Sequence, residues 1–314
     1  MLGVKIPVAT LIVNSLDRSP IVLFVYARPE HTRKVLQSLA QNKEAIESDL
    51  IIYSDGPKNE KTADLVAEVR TIVAHVSGFK SVTTHFSSGN KGLSQSIISG
   101  VSEVLRKYSS CIVLEDDLVL SPHFLSFMND GLSKYSADSR VASIHGYVYP
   151  TQASLPENFF MKGADCWGWG TWKRAWDLFE EDGSKLLELL KNKRLVNEFD
   201  FGGSHSFSSL LRKQIEGKVD SWAIRWHASI FLQNMLTLYP GQSLVQNIGN
   251  DKSGTHSGNY NFMDVQLNYD RIPVIDTEVR SSKIGYEAFV DFFERNKQTI
   301  CTKIFRYLSS LFKK

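Results

Sequence analysis

Three consecutive carboxylates, Glu115, Asp116 and Asp117, follow directly on an apolar run that begins at Cys111. Like charges side by side repel one another, so such a triplet is typical of a site that holds a cation or several hydrogen-bond donors. Oxygen ligands of this kind suit Mg²⁺, Mn²⁺ and Ca²⁺. The alternative is a solvated turn between a strand and a helix, where acidic residues are common. The cluster favours a cation site without naming a substrate.

The elements around this acidic triplet place it at the edge of a sheet. The apolar run 111–114 predicts a buried strand, Ser121 a helix N-cap and Pro122 the first residue of the following helix. Open α/β sheets bind their ligands at the carboxyl ends of the strands. We therefore expect the triplet to lie at a ligand-binding edge.

Strand and helix patterns alternate through the first half of the chain. Buried strands are predicted at 21–26, 50–53, 82–86 and 111–114, and helices over 31–42, 65–76 and 93–105. Four β/α repeats imply a mostly parallel, twisted sheet that helices cover on both faces. The loops around Arg28, Asp55, Lys91 and Asp117 then converge on one edge and outline a ligand cleft.

The alternation stops after about residue 148, and the second half is rich in aromatic residues and irregular turns. The stretch 166–172 places Trp167, Trp169 and Trp172 close together among glycines. Aromatic faces stack on sugar rings or bases, and glycines let the backbone approach a ligand closely. The alternative is a tryptophan-rich core patch. We expect at least one of the three rings to line a pocket.

Length and composition limit the classes of protein to consider. With 314 residues, 42% of them hydrophobic, the chain suits one large α/β domain or two domains. A formal net charge of +2 argues against a general nucleic-acid binder. Three cysteines without CxxC spacing indicate neither a disulfide framework nor a zinc cluster, which favours the cytoplasm. Neither a secretory signal nor a membrane-spanning segment is predicted.

The order of short motifs resembles that of GT-A glycosyltransferases. In chain order the motifs are Ala27-Arg28-Pro29, Ser54-Asp55-Gly56, Asn90-Lys91-Gly92-Leu93 and Glu115-Asp116-Asp117. They are most similar to those of the inverting N-acetylglucosaminyltransferase I group, whose triplet is also Glu-Asp-Asp, and of bacterial family-2-like sugar transferases. The resemblance implies an α/β, Rossmann-like fold with four parts. These are an extension (1–19), a nucleotide-sugar half (20–147), an aromatic-rich acceptor half (148–285) and an amphipathic helical tail (286–314).

The resemblance also implies a role for each matching residue. Asp117 would be the direct ligand of Mn²⁺ or Mg²⁺, and Glu115 and Asp116 would hold the ribose and the remaining coordination shell. The cation would neutralise a departing nucleotide diphosphate, with a UDP-sugar as the expected donor. Asp55 would face the base. The further expected donor contacts are Ala27, Arg28, Lys91, Trp167 and Trp169, although Arg28 and Lys91 are alternatively surface residues.

An inverting transfer needs one general base to deprotonate the acceptor hydroxyl. The stretch 218–226 is similar to the Trp-flanked segment that carries this base in the family, so Asp220 is the first candidate and Asp165 the second. The chain has one acid where the relative has two. We expect Trp222 and Trp226 to desolvate Asp220 partly and to raise its pKa. The alternative is that Asp220 is an N-cap.

Two later segments extend the expected site. The glycine- and hydroxyl-rich loop 247–258 suits closure over a diphosphate, and its His256 resembles the late histidine that many GT-A enzymes bring to the metal. A surface histidine is the alternative. The stretch 302–314 has an apolar helical face among cations, which is typical of an interfacial helix on an anionic bilayer or of a helix docked on the domain.

These patterns predict a metal-dependent inverting glycosyltransferase of bacterial surface polysaccharide or glycolipid assembly, cytoplasmic or peripheral on the inner membrane face. Its acceptor would be a glycan or a lipid-linked glycan. One alternative is a sugar-phosphate nucleotidyltransferase, although the first βα turn lacks the glycine-rich phosphate loop of that chemistry. The other is a non-catalytic glycan-binding protein that uses Trp167, Trp169 and Trp222 as stacking platforms.

Overall fold

A computed structural model of the chain describes the backbone of residues 18–249 and 261–311 and the side chains of 18–249 and 262–297. The strands are β1 Ile21–Val25, β2 Asp49–Ser54, β3 Ser81–Phe86, β4 Ser110–Glu115, β5 Leu118–Leu120, β6 Val141–His145, β7 Asn158–Lys162, β8 Trp169–Trp172, β9 Leu236–Pro240 and β10 Val245–Asn247. The α-helices are α1 Pro29–Ala40, α2 Glu60–Ala74, α3 Leu93–Leu105, α4 Phe124–Lys134, α5 Lys173–Trp176, α6 Gly183–Asn192, α7 Val196–Phe199, α8 Phe207–Ile215, α9 Trp222–Leu232 and α10 Lys283–Leu311. Short 3-10 helices lie at Lys43–Glu47, Phe201–Gly203 and Asn261–Met263.

The main sheet has eight strands in the order β3-β2-β1-β4-β8-β6-β9-β7. The first four are all parallel, and the α/β repeats predicted from the sequence are confirmed. In the second half β6 and β9 pair in parallel, whereas β8 and β7 are antiparallel to their neighbours. The fold is therefore α/β with a mixed, mostly parallel sheet that runs through both halves of the chain.

The apolar strands bury residues on both faces of the sheet. Successive side chains of a strand point to opposite faces. In β1, Leu23 joins a core with α1, α2 and α4, and Val22 joins a second core with α3 and α9. Both side chains are fully buried. This double packing fixes the strand ends from which the candidate site is built.

The predicted helix start at Ser121 and Pro122 is wrong. After the acidic triplet the chain forms β5, which pairs antiparallel with β10, and α4 begins only at Phe124. The Ser121 N–H donates to the Leu244 carbonyl at 2.8 Å, which continues this pairing. The Ser121 hydroxyl accepts from the His123 N–H at 3.2 Å, so it stabilises the turn ahead of the helix.

The C-terminal helix α10 packs its first half on β7. Its side chains beyond residue 297 lie outside the described residues, and so does the N-terminal stretch 1–17. The apolar face expected at 302–314 is therefore still a prediction. Within the described chain, every helix is too short or too polar to cross a bilayer.

Candidate functional site

The acidic triplet lies at the carboxyl end of β4, beside the end of β1. Arg28 follows β1, and its Nη2 donates to Asp116 Oδ1 and, at 3.1 Å, to Asp117 Oδ2. The Tyr26 N–H donates to the other oxygen of Asp116 at 3.3 Å. The parallel pairing of β1 with β4 brings these residues together. Ala27 lies partly buried between Tyr26 and Arg28.

The charged residues of this group shift one another's pKa values. Burial raises the pKa of Glu115 to about 8, and the carboxylates of Asp117 and Asp116 act in the same direction. Burial also raises the pKa of Asp116 to about 6, although Arg28 opposes this rise. Burial alone would lower the pKa of Arg28, but Asp116 and Asp117 raise it above its ordinary value. Burial therefore favours the protonated form of Glu115.

The donor chemistry at the triplet fits a small divalent cation. The Asp117 side chain is 15% exposed and pairs with Arg28, so it keeps lone pairs for a metal ion. Within the described side chains, no three His, Cys, Asp or Glu residues form a ready-made cluster. Mg²⁺ is commonly held by one or two carboxylates together with phosphate oxygens and water. Asp117 would hold the ion, and Asp116 is the neighbouring carboxylate.

The end of β10 forms one wall of the triplet. The Ile248 N–H donates to the Asp117 carbonyl at 2.8 Å. A Cβ on Gly249 would lie 2.4 Å from Asp117 Oδ2, so a glycine is required for this close approach. His31 Nε2 lies 3.3 Å from the Ile248 carbonyl. The rest of this glycine-rich loop, with the predicted metal ligand His256, lies outside the described residues.

Asp55 organises the loop that leads into α3. Its carboxylate accepts from the backbone N–H groups of Gly56 (2.8 Å), Lys91 (2.9 Å) and Gly92 (2.9 Å), and from Asn90 Nδ2 (3.0 Å). Asp55 is 9% exposed. The Lys91 side chain points to solvent. The expected contact of Asp55 with a base stays a prediction, and in the structure its carboxylate faces the loop.

Asp220 lies next to this loop, just ahead of α9. A Cβ on Gly92 would lie 3.6 Å from Asp220 Oδ2. The N-cap of α9 is Ser221, so the N-cap alternative for Asp220 is wrong. The expected desolvation is also wrong, because Asp220 is exposed while the rings of Trp222 and Trp226 are buried in the core.

The tryptophans of β8 and its approach have different environments. Trp169 is 1% exposed and stacks on Trp222 with ring centroids 5.3 Å apart. Trp172 is also buried. Trp167 is partly exposed and packs edge-to-face on Tyr147 at 4.7 Å. Trp169 therefore belongs to the core in this structure, and Trp167 retains an exposed face.

Asp165 lines a cavity of about 220 Å³. Its Oδ2 accepts from the Tyr149 hydroxyl at 3.0 Å and its Oδ1 from the Cys166 N–H at 2.8 Å. Burial raises the pKa of the Cys166 thiol well above its usual value, with further contributions from Asp165, Glu115 and Asp117. Cys166 lines the same cavity, and the charges of the triplet contribute to the raised pKa of its thiol. Tyr149 could not be identified from sequence patterns, since its hydrogen bond to Asp165 depends on a contact across the fold.

No protein-family model matches the sequence, and no curated protein is similar to it. Solved structures with distant similarity include the mannosyltransferase PcManGT from Pyrobaculum calidifontis in complex with GDP-Man and Mn²⁺. Its identity is 12% and its TM-score 0.30, with 42% of this chain and 36% of that chain covered. A UDP-glucose pyrophosphorylase complexed with UDP-glucose has 13% identity and a TM-score of 0.31, with 51% and 79% covered.

A third similar structure is the 4-diphosphocytidyl-2C-methyl-D-erythritol synthase of Anaerococcus prevotii DSM 20548. Its identity is 10% and its TM-score 0.34, with 56% of this chain and 84% of that chain covered. The chain spans about a third of the length of the mannosyltransferase.

Proposed function

We propose that this chain is a metal-dependent inverting glycosyltransferase. It would move a sugar from a nucleotide-diphosphate donor to a hydroxyl of a glycan or lipid-linked acceptor, in bacterial surface polysaccharide or glycolipid assembly. The observation that carries the proposal is the pairing of Arg28 with Asp116 and Asp117 at the carboxyl edge of the parallel strands. That edge is where α/β sheets bind their ligands.

The charges at this edge suit a nucleotide diphosphate once a cation is bound. Asp116 and Asp117 are two carboxylates that share one guanidinium, that of Arg28. The group therefore carries a net negative charge that attracts a divalent ion. With the ion bound, this negative charge is offset, which favours the approach of the diphosphate. The ion would supply neutralisation of the negative charge that develops on the leaving group.

The acceptor hydroxyl must lose its proton as it attacks the anomeric carbon. Asp220 is the first candidate for the base because, among the described residues, no hydrogen bond reaches its carboxylate. Both oxygens of Asp165, the second candidate, already accept hydrogen bonds from Tyr149 and Cys166. The Asp220 carboxylate lies beside Gly92 and, among the described residues, keeps both oxygens open to an acceptor hydroxyl.

Two observations favour a transferase over the alternatives. The turn between β1 and α1 consists of residues 26–28 and has no glycine-rich loop of the kind that nucleotidyl transfer would use. A glycan-binding protein would expose its stacking platforms, but of the three candidates Trp169 and Trp222 are 1% and 2% exposed and Trp167 is partly buried. Glycan binding alone would also not explain the acidic triplet.

Titration calorimetry with UDP, GDP, CDP and dTDP, each with and without Mn²⁺, tests the proposal. We expect at least one diphosphate to bind only with Mn²⁺, and Asp117→Ala to abolish that binding. Asp177→Ala, which removes a surface ion pair with Lys173, is the control and should bind as the wild type does. Equal binding without the metal ion, or undiminished binding by Asp117→Ala, would contradict the proposal. Preference for a nucleoside triphosphate and a sugar 1-phosphate would indicate the nucleotidyltransferase instead.

A further inference from the structure

We infer that the cavity beside Asp165 binds a single sugar ring, and that His227 accepts a hydrogen bond from one of its hydroxyls. The inference deepens the proposed function and rests on it for the reaction that the sugar enters. The cavity itself is defined by the described residues alone. Six aromatic side chains form much of its wall: Tyr149, Phe201, Phe207, Tyr239, Phe289 and Phe293.

The size of the cavity limits its ligand. Its volume is about 220 Å³, below the roughly 300–1,000 Å³ of pockets that take drug-sized molecules. One wall comes from α10, where Phe289 and Phe293 are four residues apart and so share a helix face. Tyr239 of β9 closes another side. The space suits one six-membered ring and is too small for a nucleotide.

His227 lines this space and has an unused acceptor atom. Its Nδ1 lies 2.7 Å from the Ala164 carbonyl, which can only accept, so Nδ1 carries the proton. The Ala164 N–H also lies 3.2 Å from Nδ1, but we assign the shorter contact as the hydrogen bond. Burial lowers the pKa of His227 and keeps the ring neutral. Its Nε2 is buried and, among the described residues, has no hydrogen-bond partner.

The polar groups of the wall favour hydroxyls over a hydrocarbon or an anion. A hydrocarbon would leave His227 Nε2 buried without a partner, which costs free energy. Lys162 also lines the cavity, but its ammonium pairs with Glu198 at 2.8 Å, so its charge is already balanced. Apolar ring faces and a bare acceptor together match a sugar, whose C–H face stacks on aromatic rings while its hydroxyls donate.

The cavity also adjoins the candidate bases. Asp165, the second candidate, lines it together with Cys166. Ser221 lines the cavity too, directly after the first candidate Asp220. A ring held here would lie against Asp165 and Ser221. The ring would be part of either the donor or the acceptor, because both contain a sugar ring with hydroxyls.

Saturation-transfer NMR with free glucose, galactose, mannose and N-acetylglucosamine tests the inference. At least one sugar should bind the wild-type protein, and His227→Asn should bind it about tenfold more weakly, as the loss of one hydrogen bond predicts. Asparagine keeps an amide near Nδ1 for the Ala164 carbonyl but lacks the Nε2 acceptor. His227→Gln, whose amide reaches the Nε2 position, should recover part of the affinity.

The control is His75→Asn, the same substitution at an exposed histidine whose Nδ1 lies 2.8 Å from the Thr71 carbonyl. It should bind the sugar as the wild type does. Ala223→Leu, which fills the cavity from α9 without changing a polar group, should abolish sugar binding. This second variant keeps the test decisive if His227→Asn folds poorly.

The outcomes separate the inference from the proposed function. Unchanged sugar binding in both His227→Asn and Ala223→Leu overturns the inference, and so does binding of toluene where no sugar binds. Mn²⁺-dependent diphosphate binding without any sugar binding removes the inference alone. Cavity-dependent sugar binding with no nucleotide binding removes the proposed function alone. If His227→Asn weakens the binding of a UDP-sugar but not that of UDP, the bound ring belongs to the donor. If it weakens the binding of neither, the ring belongs to the acceptor.

Discussion

Replacement of Asp55 by asparagine tests how the loop before α3 is held. The Asp55 carboxylate accepts four hydrogen bonds, from the N–H groups of Gly56, Lys91 and Gly92 and from the Asn90 amide. Asparagine has one acceptor oxygen. If that oxygen takes the place of Oδ2, the new NH₂ group faces the Gly56 N–H, and two donors oppose each other. The substitution therefore removes at least one hydrogen bond and the negative charge that strengthens the others.

The magnitude follows from these contacts. A hydrogen bond to a charged acceptor contributes about 1.5–3 kcal/mol, so Asp55→Asn should lower the free energy of unfolding by about 2–3 kcal/mol. For domains of this order of size, each kcal/mol lowers the melting temperature by about 2–4 °C. We expect a fall of roughly 5 °C and faster amide hydrogen exchange at Lys91 and Gly92. Because Asp220 lies beside Gly92, the loosened loop should also slow transfer.

Circular dichroism melting and hydrogen exchange measure these effects. The control is Asp49→Asn at the other end of β2, where the carboxylate accepts from the Ser81 hydroxyl at 2.7 Å. That change should cost about 1 kcal/mol or less. A melting temperature for Asp55→Asn within 1 °C of the wild type, with unchanged exchange at residues 91 and 92, would refute this account of the loop.

Three further predictions concern the triplet and the base. Burial raises the pKa of Glu115 from its ordinary value of 4.5 to about 8 in the native state, so the native state binds the extra proton and stability falls as pH rises between these values. Glu115→Gln should raise the melting temperature more at pH 8.5 than at pH 5, and a constant difference would contradict this. Gly249→Ala places a Cβ 2.4 Å from Asp117 Oδ2 and should weaken Mn²⁺-dependent nucleotide binding about tenfold. Gly89→Ala, where a Cβ meets nothing within 4 Å, is its control and should bind normally. Asp220→Asn should slow transfer about 10²–10⁴-fold with donor binding retained; full transfer would reassign the base, with Asp165→Asn as the next variant.

The first half of the fold could be predicted because its signals are local. Strands β1 and β4 are continuous apolar runs, and helices such as α3 bury residues at helical spacing. The loops that follow parallel strands converge for topological reasons, so Arg28 and the triplet were expected near one another. Their ion pairs agree with that expectation.

The remaining features depend on contacts that sequence patterns do not encode. β5 and β10 have three residues each, and their pairing needs partners distant in the chain. β8 inserts between β4 and β6, which buries Trp169 in the core although its glycine-rich setting suggested a pocket. The orientation of Asp55 toward the loop likewise follows from the tertiary position of residues 90–92.

The central claim is that a divalent ion held by Asp117 meets the diphosphate of a donor at the carboxyl edge of β4. Anomalous diffraction from a crystal grown with Mn²⁺ and a bound nucleoside diphosphate measures this directly. The account predicts a manganese peak within coordination distance of an Asp117 oxygen and of the diphosphate, with the Arg28 guanidinium beside the phosphates. A diphosphate bound elsewhere, or bound at this edge with manganese absent from Asp117, would contradict it.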